Sequence, residues 1–308
     1  MSRLFILLAL LAGGCAESLG RAMVTAPHQF NPFARPKRYS PPVRYALGID
    51  QQFEVDVGPP DATLAVSVVE PIDSKQPRGT ILVLHGIWNE SFWMLGTAKM
   101  LAEEGFRAVL VDLRGHGRST GDWLTYGVRE AKDLSQVIDA LERRDLIAGN
   151  LGVYGISYGA TTSIHLAGGD PRITAVVAVA PFSRMRDEVP DYARTMLPGV
   201  ERFVSEDRLR EAVDAAGRHA DFNPDRSDAV AAIRRTRARV MILHGSDDWL
   251  VPPYHALRLY EAGRDHCEFV LLPMTGHVSI WFDADGEVAR QTKRWFGRWL
   301  AASAVLYR

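Results

Sequence analysis

Residues 155–159 read Gly-Ile-Ser-Tyr-Gly, a spacing that could let the central Ser157 act as a nucleophile. They lie between a β-rich apolar run and a helical stretch, so the chain must turn sharply at the serine. Side chains in place of Gly155 and Gly159 would clash with neighbouring backbone in such a turn. The turn would hold the hydroxyl above a sheet and at a helix N-terminus, whose dipole favours developing negative charge. The structural alternative is a serine that only caps the helix.

Two later segments contain an acid and a base that could activate a serine hydroxyl. Residues 244–248 read His-Gly-Ser-Asp-Asp after a buried apolar run, and His277 follows a glycine between the last predicted strand and the last predicted helix. A serine needs a base to accept its proton, and the base needs a carboxylate to fix its tautomer. Asp247 and Asp248 are both candidates for the carboxylate. Nine histidines compete for the role of base, and a lone histidine is by default structural.

The chain from residue 50 onward alternates between predicted strands and predicted helices. Continuous apolar runs such as 79–84 are typical of strands that are covered on both faces. Strands are predicted at 53–57, 63–70, 79–84, 107–112, 151–155, 173–180, 240–243 and 268–272. Helices are predicted at 90–104, 128–144, 160–168, 253–262 and 287–300. This alternation predicts an α/β fold with a mostly parallel central sheet and helices on both faces.

The alternation stops between residues 183 and 237, a stretch that is rich in Arg, Asp and Ala and has helical patterning. We therefore predict a core of residues 50–182 and 238–308 with an inserted helical cap at 183–237. Several apolar residues of the cap could line an acyl-binding pocket or could only pack on the core. The sequence does not decide between these two roles for Met196, Leu197, Val200, Phe203 and Val204.

Together these segments resemble the α/β-hydrolase superfamily over residues 50–301. The resemblance is carried by the GxSxG motif at 155–159, an HGxxDxxVP-like segment at 244–252, the Gly-His pair ending at His277 and the His-Gly pair at 85–86. In that family the nucleophile, the acid and the base follow in this order along the chain. The resemblance implies that Ser157 is the nucleophile, Asp248 rather than Asp247 the acid, and His277 the base. The expected role of His85 and His244 is to support loops.

The resemblance also implies an oxyanion hole that is made of two backbone N–H groups. One would come from Ile87, with Trp88 as the neighbouring alternative, and the other from Tyr158, which follows the nucleophile. The implied mechanism is a two-step acyl transfer that requires no metal and no organic cofactor. A carboxylic ester is the expected small-molecule substrate. A thioesterase or serine peptidase with the same triad is the alternative enzyme, and an inactive membrane-anchored binding protein on a hydrolase scaffold is the alternative of another class.

The composition argues against nucleic acid as a partner. The formal net charge is −1, and the chain carries no excess of Lys and Arg that would indicate binding to nucleic acid. Hydrophobic residues make up 47% of the chain, enough for a large buried core. Of the two cysteines, Cys267 lies in an apolar run and is expected to act as a small buried hydrophobe. The oligomeric state does not follow from the sequence.

The N-terminus has the pattern of a secretory signal peptide. Arg3 precedes an apolar run at 4–12, which is too short to span a bilayer, and small residues lead to Cys15. The segment resembles the lipobox of bacterial lipoproteins, although Ala12 stands where that family usually has Leu. The resemblance implies that residues 1–14 are removed, that Cys15 carries fatty acyl chains such as palmitate, and that the mature protein is anchored stably to a membrane.

Because Ala16 is not Asp, the sorting rules of that family imply the outer membrane, with the protein facing the periplasm. The alternative is an ordinary signal peptide that is cleaved nearby, with Cys15 incidental. Residues 15–49 are polar and interrupted by prolines, which predicts a tether between the lipid and the folded domain.

Overall fold

Eight strands form one sheet in the computed structural model, which describes residues 16–30, 38–72, 76–196 and 204–300. Their order is β1-β2-β4-β3-β5-β6-β7-β8. The β1–β2 and β2–β4 pairs are antiparallel, and the remaining pairs are parallel. The predicted α/β fold is confirmed. The strands are β1 (Gln51–Val57), β2 (Ala62–Val69), β3 (Gly79–Leu84), β4 (Arg107–Val111), β5 (Asn150–Ile156), β6 (Ile173–Val179), β7 (Arg239–Gly245) and β8 (Cys267–Leu272).

Helices cover both faces of the sheet, which explains the continuous apolar runs of the central strands. In β3, Leu82 and Leu84 face one apolar layer while Ile81 and Val83 face the other. Within the described residues, no helix is long and apolar enough to cross a bilayer. The helices are α1 (Ala16–Val24), α2 (Pro41–Ala46), α3 (Leu95–Glu103), α4 (Val128–Glu142), α5 (Tyr158–Gly169), α6 (Met185–Met196), α7 (Glu206–His219), α8 (Ala229–Arg235), α9 (Tyr254–Ala262), α10 (Ser279–Phe282) and α11 (Glu287–Trp299).

The predicted cap divides into two parts. Helices α6 and α7 form the insertion, and an isolated β-bridge joins Arg184 to Asp228 at its base. Helix α8 packs against α5, with Val230 and Ile233 buried in the same apolar layer. That layer also includes Val213 of α7, so the boundary at 237 stays a prediction. Of the cap residues considered for a pocket, Val204 packs in a cluster with Leu19, while residues 197–203 lie outside the described residues.

Residues 16–30, which we term the N-terminal strap, pack on the folded domain. Leu19 is buried in a cluster with Leu209 and Ala212 of α7, and Val24 is fully buried. The backbone N–H of Ala26 donates to the carbonyl of Asp122 at 3.0 Å. Over the strap the chain docks on the domain, where the sequence predicted a tether at 15–49, because α1 has an apolar face at helical spacing. Cys15 and the predicted signal peptide lie outside the described residues.

Gly20 is the point of closest approach between α1 and α7. A β-carbon at this position would lie 2.4 Å from the carbonyl oxygen of Ala212 and 2.6 Å from the backbone nitrogen of Ala216. We expect Gly20→Val to force the two helices apart at a cost of about 1–3 kcal/mol. The measurement is limited proteolysis of the strap together with the melting temperature. Glu17→Ala removes only polar side-chain contacts at the surface, with Arg218 and with His219 at 3.1 Å, and serves as the control. Unchanged strap protection in the Gly20 variant would contradict this packing.

Candidate active site

Four parallel strands end at the edge of the sheet where the predicted site residues lie. The chain leaves β3 at His85, β5 at Ser157, β7 just before Asp248 and β8 a few residues before His277. Pairing is in register near these ends, with Leu84 opposite Gly155 and Gly245 opposite Leu272. Since the carboxyl ends of parallel strands meet at one edge, residues far apart in the sequence come together there.

Ser157, His277 and Asp248 are connected in series at this edge. His277 Nε2 lies 3.1 Å from Ser157 Oγ, and His277 Nδ1 lies 2.7 Å from Asp248 Oδ2. All three residues are at least nine-tenths buried. The neutral imidazole donates its Nδ1–H to the carboxylate, which leaves Nε2 free to accept the serine proton. The arrangement is that of a nucleophile, a base and the carboxylate that orients the base.

The backbone at Ser157 adopts an unusual conformation that projects its hydroxyl. Its φ and ψ are 54° and −115°, which few non-glycine residues adopt. The two flanking glycines permit close approach: a β-carbon at Gly155 would lie 2.2 Å from the Gly159 carbonyl oxygen, and one at Gly159 would lie 2.5 Å from the His85 carbonyl oxygen. The GxSxG spacing is therefore a steric requirement of this turn.

The two adjacent aspartates have different environments. The side chain of Asp248 is fully buried, and its Oδ1 accepts the backbone N–H groups of Leu250 and Val251 at 3.0 and 2.9 Å. Asp247 is exposed, and its carboxylate accepts the hydroxyl of Ser246 at 2.8 Å. The structure therefore brings Asp248, and not Asp247, to the imidazole.

His85 holds the loop that follows β3. Its Nε2 accepts the backbone N–H of Leu113 at 3.0 Å, so its Nδ1 carries the proton and donates to the carbonyl of Gly86 at 2.8 Å. Burial lowers the pKa of His85 to about 4, which keeps the ring neutral near pH 7. Because the Gly86 carbonyl and the Ile87 N–H belong to one trans peptide, fixing the carbonyl fixes the N–H in the opposite direction.

The residues that were predicted to supply the oxyanion donors lie close to the nucleophile. A β-carbon at Gly86 would lie 3.6 Å from Cβ of Ser157, so the loop that carries Ile87 passes beside the serine. Tyr158 begins α5, and its N–H is one of the groups that a helix start leaves free. Among the described residues, neither the Ile87 N–H nor the Tyr158 N–H has an acceptor. Both are free to bind an oxyanion.

Removing the donor on His85 should disturb the Ile87 peptide. We expect His85→Leu to lower kcat by about 10²-fold with a small change in KM, because the peptide is no longer fixed. His85→Asn retains a side-chain amide donor near the position of Nδ1 and should lose much less. Steady-state kinetics with both variants is the measurement. Equal losses in the two variants would show that the hydrogen bond to Gly86 does not act on the oxyanion loop.

Two other residues that the sequence analysis considered, His244 and Cys267, have structural roles. His244 Nε2 donates to the carbonyl of Val251 at 2.8 Å and lies 3.4 Å from Asp248, so it supports the loop that carries the acid. Burial raises the pKa of Cys267 to about 12, which keeps its thiol protonated and unreactive.

Sequence reasoning missed one buried carboxylate, Glu130, which lies next to the Tyr158 side chain. The phenolic O–H of Tyr158 donates to Glu130 Oε1 at 2.7 Å. The available signal was the spacing from Gly127 to Glu130 at the start of α4, where a glutamate at the third helical position bonds back to the backbone that precedes the helix. That signal indicates a helix start but does not identify Tyr158 as a partner.

The chain is similar to one family model and to several curated proteins. The family model described as X-Pro dipeptidyl-peptidase (S15 family) matches residues 61–207. The Bacillus subtilis protein YqkD is 28% identical over 195 residues, a match that spans 60% of each chain. ABHD14B of Rattus norvegicus, whose name proposes a protein-lysine deacylase, is 31% identical over 147 residues, which cover 45% of this chain and 67% of that protein.

Solved structures share the fold. An esterase of Pyrococcus furiosus, Pf2001, superposes with a TM-score of 0.67 at 18% identity and covers 88% of this chain and 98% of its own. Est1E of Butyrivibrio proteoclasticus superposes with a TM-score of 0.59 at 14% identity and covers 80% of this chain and 100% of its own. At such identities the likeness concerns the fold alone. The sheet order, the sequence relatives and these folds agree: the chain belongs to the α/β-hydrolase superfamily.

Proposed function

We propose that the protein is a serine hydrolase that cleaves carboxylic esters through an acyl-enzyme on Ser157. The observation that carries the proposal is the continuous series from Ser157 Oγ through His277 to the Asp248 carboxylate, at 3.1 and 2.7 Å. Two free backbone N–H groups beside the serine support it, because acyl transfer develops negative charge on the carbonyl oxygen.

The reaction proceeds in two steps, acylation of Ser157 and hydrolysis of the acyl-enzyme. Ser157 Oγ bonds to the carbonyl carbon as His277 Nε2 takes the hydroxyl proton, and the carbonyl oxygen becomes an oxyanion that is bound by the Ile87 and Tyr158 N–H groups. The intermediate collapses, the bond to the alkoxy group breaks, and His277 returns the proton to the leaving alcohol. Water then attacks the acyl-enzyme, gives a proton to His277, and the acid leaves as Ser157 regains its proton.

A second candidate substrate class is the amide bond. It is favoured by the family model for X-Pro dipeptidyl-peptidases, which matches residues 61–207 and thus includes the nucleophile. The same triad performs ester, thioester and amide cleavage, so the class must be decided by a substrate panel. The panel should contain p-nitrophenyl esters of graded acyl length, an acyl thioester, an X-Pro p-nitroanilide and an acyl-lysine peptide.

The test combines labelling with this panel on a protein that lacks residues 1–15 and retains the strap. We expect a fluorophosphonate probe to label Ser157 and p-nitrophenyl esters to be hydrolysed, with an acyl-length optimum that reports the pocket. Labelling at Ser157 without ester turnover, but with thioester or amide turnover, would replace the ester proposal with that class. Absence of labelling would contradict the serine-hydrolase proposal itself.

We also propose that the protein is exported and is anchored to the outer membrane, facing the periplasm, by acyl chains on Cys15. The proposal is supported by the apolar run at 4–12 and by the small residues before Cys15. Cells that are fed an alkynyl palmitate should incorporate it into the wild type and into Cys267→Ser, but not into Cys15→Ser. Incorporation into the Cys15 variant would contradict the assignment.

A further inference from the structure

We propose that Glu130 is a positioning residue for the oxyanion hole, which it serves by holding the side chain of Tyr158. The inference rests on the proposed function, in which the backbone N–H of Tyr158 binds the oxyanion. It assigns a role to a buried carboxylate that the triad does not use and that lies on α4, a different element from the nucleophile turn.

Glu130 is fully buried and satisfied on both oxygens. Its Oε1 accepts the Tyr158 phenol at 2.7 Å and the Thr125 N–H at 2.8 Å. Its Oε2 accepts the Thr125 hydroxyl at 2.6 Å and the Gly127 N–H at 3.0 Å. Four hydrogen bonds hold the carboxylate in one position, at the N-terminus of α4 where the helix dipole favours a negative charge. It therefore presents a fixed acceptor to the tyrosine.

Neighbouring groups hold both the phenolic oxygen and the ring of Tyr158. Its phenolic oxygen donates to Glu130 and accepts the backbone N–H of Tyr126 at 3.0 Å. Its ring packs against the rings of Tyr126 and His116, with centroids 5.6 and 5.8 Å away. Burial, and then the neighbouring Glu130, raises the pKa of the Tyr158 phenol well above its usual value, so the phenol remains a donor at every pH of interest.

Holding this side chain constrains the catalytic backbone because the N–H of Tyr158 and its side chain share one α-carbon. Tyr158 also directly follows Ser157, whose backbone has the unusual positive φ of the nucleophile turn. A side chain that is fixed at its distal end resists the rotation by which such a turn would relax. Oxyanion stabilisation depends on donor position within a fraction of an ångström, so this resistance should appear in the rate.

The test compares Tyr158→Phe, Glu130→Gln and their double variant in the full chain, with Thr161→Val as the matched control. Tyr158→Phe removes the phenolic oxygen while the ring stays. Glu130→Gln keeps the side-chain volume, but its amide N–H₂ replaces one of the two oxygens that accept hydrogen bonds. Thr161→Val removes a buried hydroxyl of α5 that hydrogen-bonds to the backbone of Phe182 and leaves the contact between Glu130 and the phenol in place. The readouts are kcat, KM, melting temperature and the rate of fluorophosphonate labelling.

We expect each single variant to lower kcat and the labelling rate by about tenfold with KM nearly unchanged. The double variant should lose no more than the worse single variant, since both act through one contact. Thr161→Val should lower the melting temperature but keep kcat close to the wild-type value.

Two results would overturn the proposal: unchanged kcat and labelling in Tyr158→Phe, or a kcat that is not lowered in Glu130→Gln. A loss of kcat in Thr161→Val equal to that in Tyr158→Phe would also overturn it, because it would assign the effect to a general loosening of α5. The labelling rate keeps this test separate from the ester proposal. Wild-type protein that labels at Ser157 but hydrolyses no ester would contradict the substrate class, and the variants would still report the oxyanion hole.

Discussion

Ser157→Ala is expected to lower kcat for ester hydrolysis by about 10⁶-fold, the largest effect of any single change in this protein. The variant has no hydroxyl to form the acyl-enzyme, and the small residual rate would come from the oxyanion donors and from substrate binding. The fold should survive, because the serine hydroxyl has only His277 as its side-chain partner among the described residues. The measurement is p-nitrophenyl ester turnover at matched concentrations of folded protein.

The matched control is Ser246→Ala, which removes a hydroxyl from the loop after β7. That hydroxyl donates to Asp247 and accepts the backbone N–H of Met274, and it does not contact the triad. Its turnover should stay close to that of the wild type. If Ser157→Ala and the wild type hydrolyse the ester at the same rate, the nucleophile is another residue and the proposed mechanism is wrong.

Asp248→Asn is expected to lower kcat by about 10⁴-fold without unfolding the protein. The asparagine oxygen can still accept the N–H groups of Leu250 and Val251, so its nitrogen must face His277 Nδ1. An N–H₂ at that position requires Nδ1 to be an acceptor, which moves the ring proton to Nε2. The imidazole can then no longer take the proton of Ser157.

The control for this change is its neighbour in the sequence. Asp247→Asn alters an exposed carboxylate whose hydrogen bond goes to Ser246, and kcat should be nearly unchanged. Steady-state kinetics of the two variants decides which aspartate serves the histidine. A large loss in Asp247→Asn together with a small loss in Asp248→Asn would reverse the assignment.

The sheet and the positions of the motifs could be predicted from the sequence because both follow from local chemistry. A strand that is buried on both faces must be apolar throughout, so runs such as Gly79–Leu84 are visible as strands. The turn at Ser157 needs small residues on both sides, so its motif is visible too. The alternation of strands and helices then brings the strand ends to one edge, and the described residues have that architecture.

The strap and the role of Glu130 could not be predicted, because both depend on partners that are distant in the sequence. Helix α1 is only nine residues long, and a helix of that length is stable when it docks on something. Its partner α7 lies almost two hundred residues later in the chain. Prolines that follow it made the whole region resemble a linker. Glu130 likewise reaches Tyr158 only after α4 and α5 pack together.

The docking of α1 determines how freely an anchored enzyme could move. A flexible tether of about 35 residues would let the domain sample a volume with a radius of roughly 30 Å above the bilayer. With the lipid proposed on Cys15, the docked helix starts at the next residue, Ala16, and its first turn is tied to the domain through Glu17 and Arg218. Such a connection has almost no slack, so the domain would stay close to the lipid surface.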